Sequence, residues 1–473
     1  MLDVIVLGGG VAGLTAARRA AELGAKTALL TSQELGGMGA SDGPVPVRAL
    51  AHAARLVREA RQLPKYGIAA IEPKVQYTKL LGRVREVVAQ VHDALDARAG
   101  LQRLGAEVHS HAGAAWFVDP HTVETGSGLR LQGRCFIICV GGRPKPLPVP
   151  GGHLAVSHSA AWSLTDIPAS IAVIGSGATG AQVASVFSAF GAKVWLLEIA
   201  PHILPTEDGE VAKAVASAFR ENGVVVVEGM KTIERLERTS GGVAVHYLLG
   251  GERGVLEASV VVAAVGWTGN VDQLGLEAAG VNVTRRGYVE VNRFLQTSAP
   301  HIYAAGDIIG QTMLVPPGMR EGWCAATNAV RGPQVTFEPP VVPVGSFTDP
   351  EYASVGMTEE QAARQQDHVV GRARFDRFPR SIIDGRTRGF CKVLIDKAER
   401  RLLGAHVVGE RAVETAQIAA VAMASGLRAD LLVSLPLSFP IYSGIIVAAA
   451  YDGLRTLGVD AGPAGLEGER FRS

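Results

Sequence analysis

Two segments of the chain carry three glycines at the same spacing. Each triplet follows a short apolar run and precedes a pattern typical of a helix. In a strand, turn and helix in this order, such glycines allow a tight turn, close approach of the backbone to a pyrophosphate, and close packing of the helix on the strand. We therefore predict two dinucleotide-binding turns, the first glycine turn (Gly8, Gly10 and Gly13) and the second glycine turn (Gly175, Gly177 and Gly180).

The residue that ends the strand after each helix indicates which nucleotide is bound. An acidic residue at this place binds the adenosine ribose. Glu198 stands there after the second glycine turn, and no arginine follows at once to bind a 2′-phosphate, so NADH is favoured over NADPH. After the first glycine turn, Thr31 and Ser32 occupy the place, and Glu34 in the next loop is an alternative ribose ligand.

The size and charge of the chain limit its partners. The 473 residues predict about three domains, and 46 lysines and arginines balance 45 acidic residues. This near neutrality favours small-molecule partners over nucleic acid. An uninterrupted apolar run of about 18 residues is absent, so we predict no membrane span and a cytoplasmic protein.

The cysteines are too few for a disulfide framework in so long a chain and favour a reducing compartment. Two of them lie four residues apart on one predicted strand, at about 13 Å, which is too far for a bond. We predict no metal site and a packing role for Cys135, Cys139, Cys324 and Cys391.

The elements that position these residues can be predicted from the hydrophobic pattern. Each glycine turn follows a predicted strand and is followed by a predicted helix and a second strand. Between residues 106 and 140, short runs in which apolar and polar residues alternate predict a small antiparallel sheet. The predicted strands are 2–7, 27–30, 135–140, 171–174, 193–197, 259–265, 389–395 and 402–408. The predicted helices outside the glycine turns are 47–62, 77–104, one that begins at about residue 318, and 412–425.

Further motifs are the segments 141–144 and 266–270, the HIYAAGD run ending at Asp307, and FTDPEYASVG near the start of the last domain. They resemble motifs of the flavoprotein disulfide reductases, the family of dihydrolipoamide dehydrogenase, glutathione reductase and mercuric reductase. In that family the first two segments are the crossings between domains. The resemblance covers nearly the whole chain. It implies an α/β fold with two Rossmann-like dinucleotide-binding domains, for FAD and NAD(P), and a C-terminal α+β dimerisation domain.

The resemblance also implies domain boundaries and a homodimer formed through the last domain. The FAD-binding domain would comprise residues 1–150 and 267–338, the NAD(P)-binding domain residues 151–266, and the dimerisation domain residues 339–473.

The family's cofactor-binding positions can be transferred residue by residue. Asp307 would bind the ribityl chain of FAD, and it could at the same time be a helix N-cap, since a carboxylate there would also bond backbone amides. The implied FAD-binding residues are Gly8, Gly10, Gly13, Gly36, Gly37, Gly141, Asp307, Met313 and Leu314. The implied NAD(P)-binding residues are Gly175, Gly177, Gly180, Glu198 and Gly266.

The family's residues for disulfide chemistry do not carry over. Gly39 and Pro44 stand in the places of its two redox-active cysteines, and Phe439 stands in the place of a catalytic histidine supplied by the partner subunit. The resemblance therefore implies a flavin scaffold without dithiol chemistry, in which these three residues line an open, apolar acceptor pocket.

Arg48 and Gln182 replace a lysine and a glutamate that the family pairs near flavin N5. One interpretation is a surface arginine on a helix. The other is a permanent cation beside the flavin with a neutral partner, which would favour the reduced ring. On the second interpretation these are the candidate catalytic residues.

The function that fits these features is an FAD-dependent NAD(P)H oxidoreductase that passes hydride through the flavin to a small acceptor, with a quinone as the leading candidate. Two alternatives remain: a soluble pyridine nucleotide transhydrogenase, and a non-catalytic sensor dimer that binds FAD or NADH.

Overall fold

The computed structural model describes residues 1–69 and 71–460, so the last 13 residues of the predicted segment 339–473 lie outside it. The described residues form two compact units. Unit 1 comprises Met1–Leu50, Gln76–Lys145 and Gly266–Pro339, and unit 2 comprises Ala51–Val75, Pro146–Val265 and the chain from Pro340 onward. The finer division of unit 2 into NAD(P)-binding and dimerisation domains stays a prediction.

The first part of the chain, up to residue 145, holds most of unit 1. Its elements are β1 (Leu2–Leu7), α1 (Val11–Glu22), β2 (Thr27–Leu30), α2 (Gly37–Ser41), α3 (Pro44–Ala60), α4 (Tyr77–Leu95), α5 (Ala97–Arg103), β3 (Glu107–His109), β4 (Ala115–Asp119), β5 (Thr122–Thr125), β6 (Arg130–Ile138) and β7 (Gly142–Pro144).

The next part contains the second glycine turn. Its elements are α6 (His158–Trp162), β8 (Ser170–Ile174), α7 (Ala178–Ala189), β9 (Lys193–Leu197), α8 (Gly209–Glu221), β10 (Val225–Val227), β11 (Met230–Arg238), β12 (Val243–Leu249), β13 (Glu252–Ala258) and β14 (Val260–Ala263).

The chain then returns to unit 1 through β15 (Trp267–Gly269), β16 (Ile302–Ala304) and α9 (Val315–Arg331). The last part belongs to unit 2. Its elements are β17 (Val344–Ser346), β18 (Tyr352–Gly356), α10 (Glu359–Gln365), β19 (His368–Arg374), α11 (Pro379–Ile383), β20 (Phe390–Asp396), β21 (Leu402–Val408), α12 (Ala412–Ala424), α13 (Ala429–Ser434) and α14 (Ile445–Thr456).

The main sheet of unit 1 is built around β1, whose residues Val4 to Leu7 are apolar and buried. Its strand order is β3-β2-β1-β6-β5-β4, with β16 beside β6. β1 pairs in parallel with β2 and β6, as a run that is apolar on both faces predicts. Helix α1 places small alanines against this core, and Gly13 in its first turn packs against Gly8, the residue that follows β1.

Unit 2 contains a parallel sheet in the order β10-β9-β8-β14, a meander β11-β12-β13, and a sheet in the order β17-β18-β21-β20-β19. The parallel sheet carries the second glycine turn between β8 and α7, as predicted. The pairings of β17 to β21 are antiparallel, and α12 and α14 supply apolar residues to the same core.

The two segments predicted as crossings between domains pair with each other. β7 and β15 form an antiparallel ladder in which Gly142 lies opposite Gly269. The Lys145 amide also donates to the Gly266 carbonyl at 2.9 Å. The two segments therefore form one short, hydrogen-bonded pair of strands.

Several predicted elements differ from the structure. The predicted helix 77–104 is two helices, because Asp96 between them has a left-handed backbone (φ +39°). Residues 107–109 form a parallel strand beside β2, so they do not belong to the antiparallel sheet. The strand predicted at 135–140 is the end of the longer β6, which pairs antiparallel with β5 before it enters the parallel sheet.

The helix predicted at 47–62 begins earlier, at Pro44. Among the described residues, no helix is both long and apolar enough to cross a lipid bilayer.

Candidate dinucleotide-binding sites

The first glycine turn uses its three glycines in different ways. A Cβ on Gly8 (φ +108°) would lie 2.2 Å from the Cys139 carbonyl oxygen, and one on Gly13 would lie 1.8 Å from that of Gly8. Gly10 has an ordinary backbone (φ −74°, ψ −179°), yet a Cβ there would meet nothing within 4 Å. Packing thus requires the first and third glycines, while the second borders open space.

The second glycine turn repeats this arrangement. A Cβ on Gly175 (φ +94°) would lie 2.4 Å from the Ala264 carbonyl oxygen, and one on Gly180 would lie 1.9 Å from that of Gly175. Gly177 has φ −63° and ψ −176° and again faces open space. The two turns therefore have the same backbone arrangement.

Both open spaces lie at the N-terminus of a helix. Gly10 and Gly177 are the N-caps of α1 and α7, neither helix has a side-chain cap, and neither has an acidic residue in its first turn. Amide groups and the positive end of the helix dipole therefore remain for an anion. This geometry fits the pyrophosphate of a dinucleotide at each turn.

Glu198 lies at the end of β9, beside the second glycine turn, as predicted. It is buried, with 7% of its surface exposed. Its Oε2 accepts hydrogen bonds from the Ser176 amide (2.9 Å) and hydroxyl (2.5 Å), and its Oε1 accepts one from the Ala200 amide (2.8 Å). Groups of the protein therefore already occupy most of the hydrogen-bonding capacity of the carboxylate that is predicted to bind the ribose.

The equivalent place after the first glycine turn is polar but uncharged. Thr31 is buried and its hydroxyl accepts from the Gln33 amide at 3.4 Å. Glu34 is exposed and lies 2.8 Å from His111 Nε2, a hydrogen bond that lowers the pKa of the Glu34 carboxyl. The two turns thus differ in the side chain that follows the second strand, a buried threonine in one and a buried carboxylate in the other.

The glycines of the following segment bring it against the first glycine turn. The Gly36 amide donates to the Gly9 carbonyl at 2.8 Å, and a Cβ on Gly37 would lie 2.7 Å from Gly10 Cα. Gly39 lies in α2, where a Cβ would be 3.4 Å from Val315 Cγ2. Pro44, the first residue of α3, is exposed.

The cysteines lie elsewhere in the fold. Cys135 is on β6, Cys139 directly follows it, Cys324 is on α9 and Cys391 is on β20. All four are free, and all except half-buried Cys135 are buried. Burial raises the pKa of each thiol, that of Cys324 to about 11. They therefore have the environment of packing residues, not of reactive thiolates.

Asp307 lies in unit 1 next to the paired crossings. A Cβ on Gly142 would lie 3.5 Å from Asp307 Cβ, and burial raises the pKa of the carboxyl. Gly306, not Asp307, is the N-cap of the 3₁₀ turn Asp307–Ile309, so the capping role considered for Asp307 is wrong.

Sequence reasoning missed Glu321, which lies on the buried face of α9. It is 1% exposed, and its Oε2 accepts from the Gly306 amide at 2.7 Å. Its Oε1 is buried and has no hydrogen-bond partner among the described residues. Burial raises the pKa of Glu321 to about 7. The available signal was a carboxylate at a core position of the helical pattern, followed by a glycine that packs on Ala12.

Three further predicted cofactor residues lie in loops of unit 1. The Gly141 carbonyl accepts from the Asn270 amide at 3.1 Å. Met313 and Leu314 immediately precede α9, and each is 37% exposed. They are accessible to a ligand.

The candidate catalytic residues lie in different units. Arg48 is an exposed residue of α3 in unit 1. Gln182 is a buried residue of α7 in unit 2; its Oε1 accepts from the Ser346 hydroxyl at 3.2 Å, and its Nε2 has no partner in the described part of the chain. Their proximity to a flavin stays a prediction.

The acceptor pocket likewise stays a prediction. Its residues Gly39 and Pro44 belong to unit 1, and Phe439, which is 67% exposed, belongs to unit 2.

Family models match almost the entire chain. The model described as pyridine nucleotide-disulphide oxidoreductase matches residues 2–322, and that family's dimerisation domain matches residues 342–450.

Individual relatives match over similar lengths. A dihydrolipoyl dehydrogenase of Bacillus subtilis is 31% identical over 86% of this chain and 88% of its own. A soluble pyridine nucleotide transhydrogenase of Yersinia pestis is also 31% identical, over 96% of this chain and 98% of its own.

A solved structure has the same fold. The HOCl-induced flavoprotein disulfide reductase RclA from Escherichia coli superposes with a TM-score of 0.84 at 25% identity, over 95% of this chain and 99% of its own. These matches agree with two glycine turns that fit dinucleotides and with the α/β fold predicted from the sequence. The chain therefore belongs to the pyridine nucleotide-disulphide oxidoreductase family, whose members are oxidoreductases that use FAD and NAD(P)H, and it carries that family's dimerisation domain.

Proposed function

We propose that this chain is an oxidoreductase that passes electrons from NADH through FAD to a small diffusible acceptor, without a redox-active disulfide. The observation that carries this proposal is the position of the cysteines. The segment that resembles the family's redox-active segment contains Gly39 and Pro44, and the four thiols lie on other elements, mostly buried and with raised pKa values.

The cofactors would be bound at the two glycine turns. The first glycine turn and the ends of β6 and β16 lie in one unit and would hold FAD, and the second glycine turn with Glu198 would hold NADH. Bound FAD would supply the chemistry, by accepting a hydride from NADH and passing the electrons on. The protein's part is to bind and orient both dinucleotides, since hydride transfer depends chiefly on geometry.

A quinone is the proposed acceptor because the replaced positions are apolar or lack a side chain. Gly39 has no side chain and lies against the apolar side chains of Val11 and Val315, and Phe439 offers an exposed aromatic ring on which a flat molecule could stack. The family's histidine is replaced by Phe439, so protons for a quinone would come from solvent.

Transhydrogenation between NADH and NADP is the second candidate. It is favoured by the likeness to the Yersinia pestis protein named as a soluble pyridine nucleotide transhydrogenase, which covers 96% of this chain. This reaction requires no disulfide and no separate acceptor pocket.

The test is anaerobic reduction of the purified holoenzyme by NADH, followed by benzoquinones, NADP analogues, lipoamide or glutathione disulfide. We expect rapid bleaching of the flavin absorbance and reoxidation by a quinone but not by either disulfide. Reoxidation by the NADP analogue alone would favour transhydrogenation, and turnover with a disulfide would contradict the proposal. The control is Gly177→Ala, which should retain FAD but lose reduction by NADH.

A further inference from the structure

Ser176 is the residue between the first two glycines of the second glycine turn. Its side chain is fully buried (0% exposed). Both its amide and its hydroxyl donate to one oxygen of Glu198, at 2.9 Å and 2.5 Å. A hydroxyl bound to a carboxylate over this distance makes a strong charge-assisted hydrogen bond.

The carboxylate of Glu198 has little acceptor capacity left. An ionised carboxylate has about four lone-pair sites. Ser176 uses two of them on Oε2, and the Ala200 amide uses one on Oε1 at 2.8 Å. This leaves about one site for a ligand.

The adenosine ribose of NADH offers two hydroxyl donors, at its 2′ and 3′ positions, for which such an acidic residue is suited. Both cannot bind to Glu198 while the Ser176 hydroxyl keeps its place. A ribose with a 2′-phosphate offers only the 3′-hydroxyl, which one free site can accept. The Ser176 hydroxyl therefore competes with NADH and not with NADPH.

We propose that Ser176 is a specificity-determining residue whose hydroxyl competes with the adenosine ribose for Glu198, so that it weakens NADH binding and narrows the preference for NADH over NADPH. This rests on the ribose-binding role proposed for Glu198 but not on the identity of the electron acceptor. The residues next to Glu198 agree with a site that discriminates between NADH and NADPH through this carboxylate. Ile199 is 62% exposed and uncharged. His202 Nδ1 lies 3.0 Å from the Ile203 carbonyl.

The test uses two unreactive fragments, ADP-ribose and 2′-phospho-ADP-ribose, titrated into oxidised holoenzyme by calorimetry. Ser176→Ala should lower the Kd of ADP-ribose about fivefold, because the ribose no longer has to displace the hydrogen bond between the Ser176 hydroxyl and Glu198. The Kd of 2′-phospho-ADP-ribose should change less than twofold. Ser170→Ala, which removes a hydroxyl bonded to Ser259 at the other end of β8, is the matched control and should change neither value.

A second variant keeps the test specific. In a Glu198→Ala background, Ser176→Ala should have no effect on ADP-ribose, because the contested carboxylate is gone. An unchanged or raised Kd of ADP-ribose in Ser176→Ala would overturn the proposal, since it would mean that the hydroxyl is neutral or holds Glu198 in its productive position. Unaltered protein that binds neither fragment would also overturn it. Because the fragments lack the nicotinamide ring, they cannot transfer a hydride. These results are therefore independent of whether a quinone or a disulfide is the acceptor.

Discussion

At the scale of single residues, packing requires the first and third glycines of each turn but not the second, which borders the space proposed for a ligand. Gly8 and Gly13 are held by backbone atoms within 2.2 Å of a hypothetical Cβ, whereas Gly10 has an ordinary backbone and open space. Nothing in the described fold requires a glycine at position 10. The same holds for Gly177 in the second turn.

We therefore predict that Gly10→Ala folds normally but purifies without flavin, because the new methyl group would occupy the space of the pyrophosphate. Far-UV circular dichroism and the ratio of flavin to protein absorbance measure both parts. Gly82→Ala is the control, since Gly82 lies on α4 with nothing within 4 Å and should keep its FAD. Full FAD content in Gly10→Ala would refute the assignment of this turn.

Glu321 predicts a pH dependence of stability. Burial raises the pKa of its carboxyl from 4.5 to about 7, so the native protein retains a proton that the unfolded chain releases between these values. The free energy of unfolding should therefore fall as pH rises through this window, with the full penalty above pH 7.

Glu321→Gln should remove this contribution, because an amide can still accept from the Gly306 amide. Relative to the unaltered protein, the variant should gain up to about 3 kcal/mol between pH 4.5 and pH 8. Urea denaturation of both proteins at several pH values measures this difference, and a difference independent of pH would refute the raised pKa.

At the scale of elements, hydrophobic pattern and glycine spacing predicted the two strand, turn and helix units well, because burial of continuous apolar strands dominates there. The break at Asp96 was missed since the helical pattern continues through it and only the backbone conformation changes. The parallel pairing of β3 depends on a partner, β2, that is far away in the sequence. The hydrogen bonds of Glu198 to Ser176 also join residues 22 positions apart, and no local pattern predicts them.

A buried ion cluster joins α8, α10 and β20 within unit 2. Lys392 on β20 is 1% exposed, and its Nζ lies 2.5 Å from Asp208 Oδ1 and 2.9 Å from Glu359 Oε2. Asp208 is also the N-cap of α8. The cluster thus fixes the start of one helix to the neighbouring sheet.

Lys392→Met should lower the free energy of unfolding by about 3–5 kcal/mol, because it leaves the buried carboxylate of Asp208 without its cation. Lys397→Met is the matched control: its Nζ lies 2.6 Å from Asp367 Oδ1, but the pair is exposed and should contribute less than about 1 kcal/mol. Equal effects in the two variants, measured by urea denaturation at one protein concentration, would show that burial does not strengthen this cluster.

At the scale of the whole molecule, the family's dimerisation domain exposes several large apolar side chains. Those exposed in the single chain between residues 382 and 439 are Ile382, Ile383, Val421, Leu431, Leu435, Leu437 and Phe439. Exposed apolar side chains in a dimerisation domain are candidates for the subunit interface.

We predict that Leu431→Asp and Phe439→Asp weaken a homodimer, because each places a charge on this apolar surface. Sedimentation velocity should show a dimer for the unaltered protein at about micromolar concentration and a monomer for the double variant. Val255→Asp is the control, since Val255 is 59% exposed on β13, outside the dimerisation domain. A dimer that persists in the double variant would place the interface elsewhere.

FAD is the sole redox centre in the proposed reaction, and an anaerobic titration of the holoenzyme with dithionite, following the flavin absorbance, tests this most directly. The positions of Gly39, Pro44 and the four cysteines predict complete bleaching with two electrons per FAD. Uptake of four electrons per FAD would reveal a reducible disulfide beside the flavin and would contradict the account.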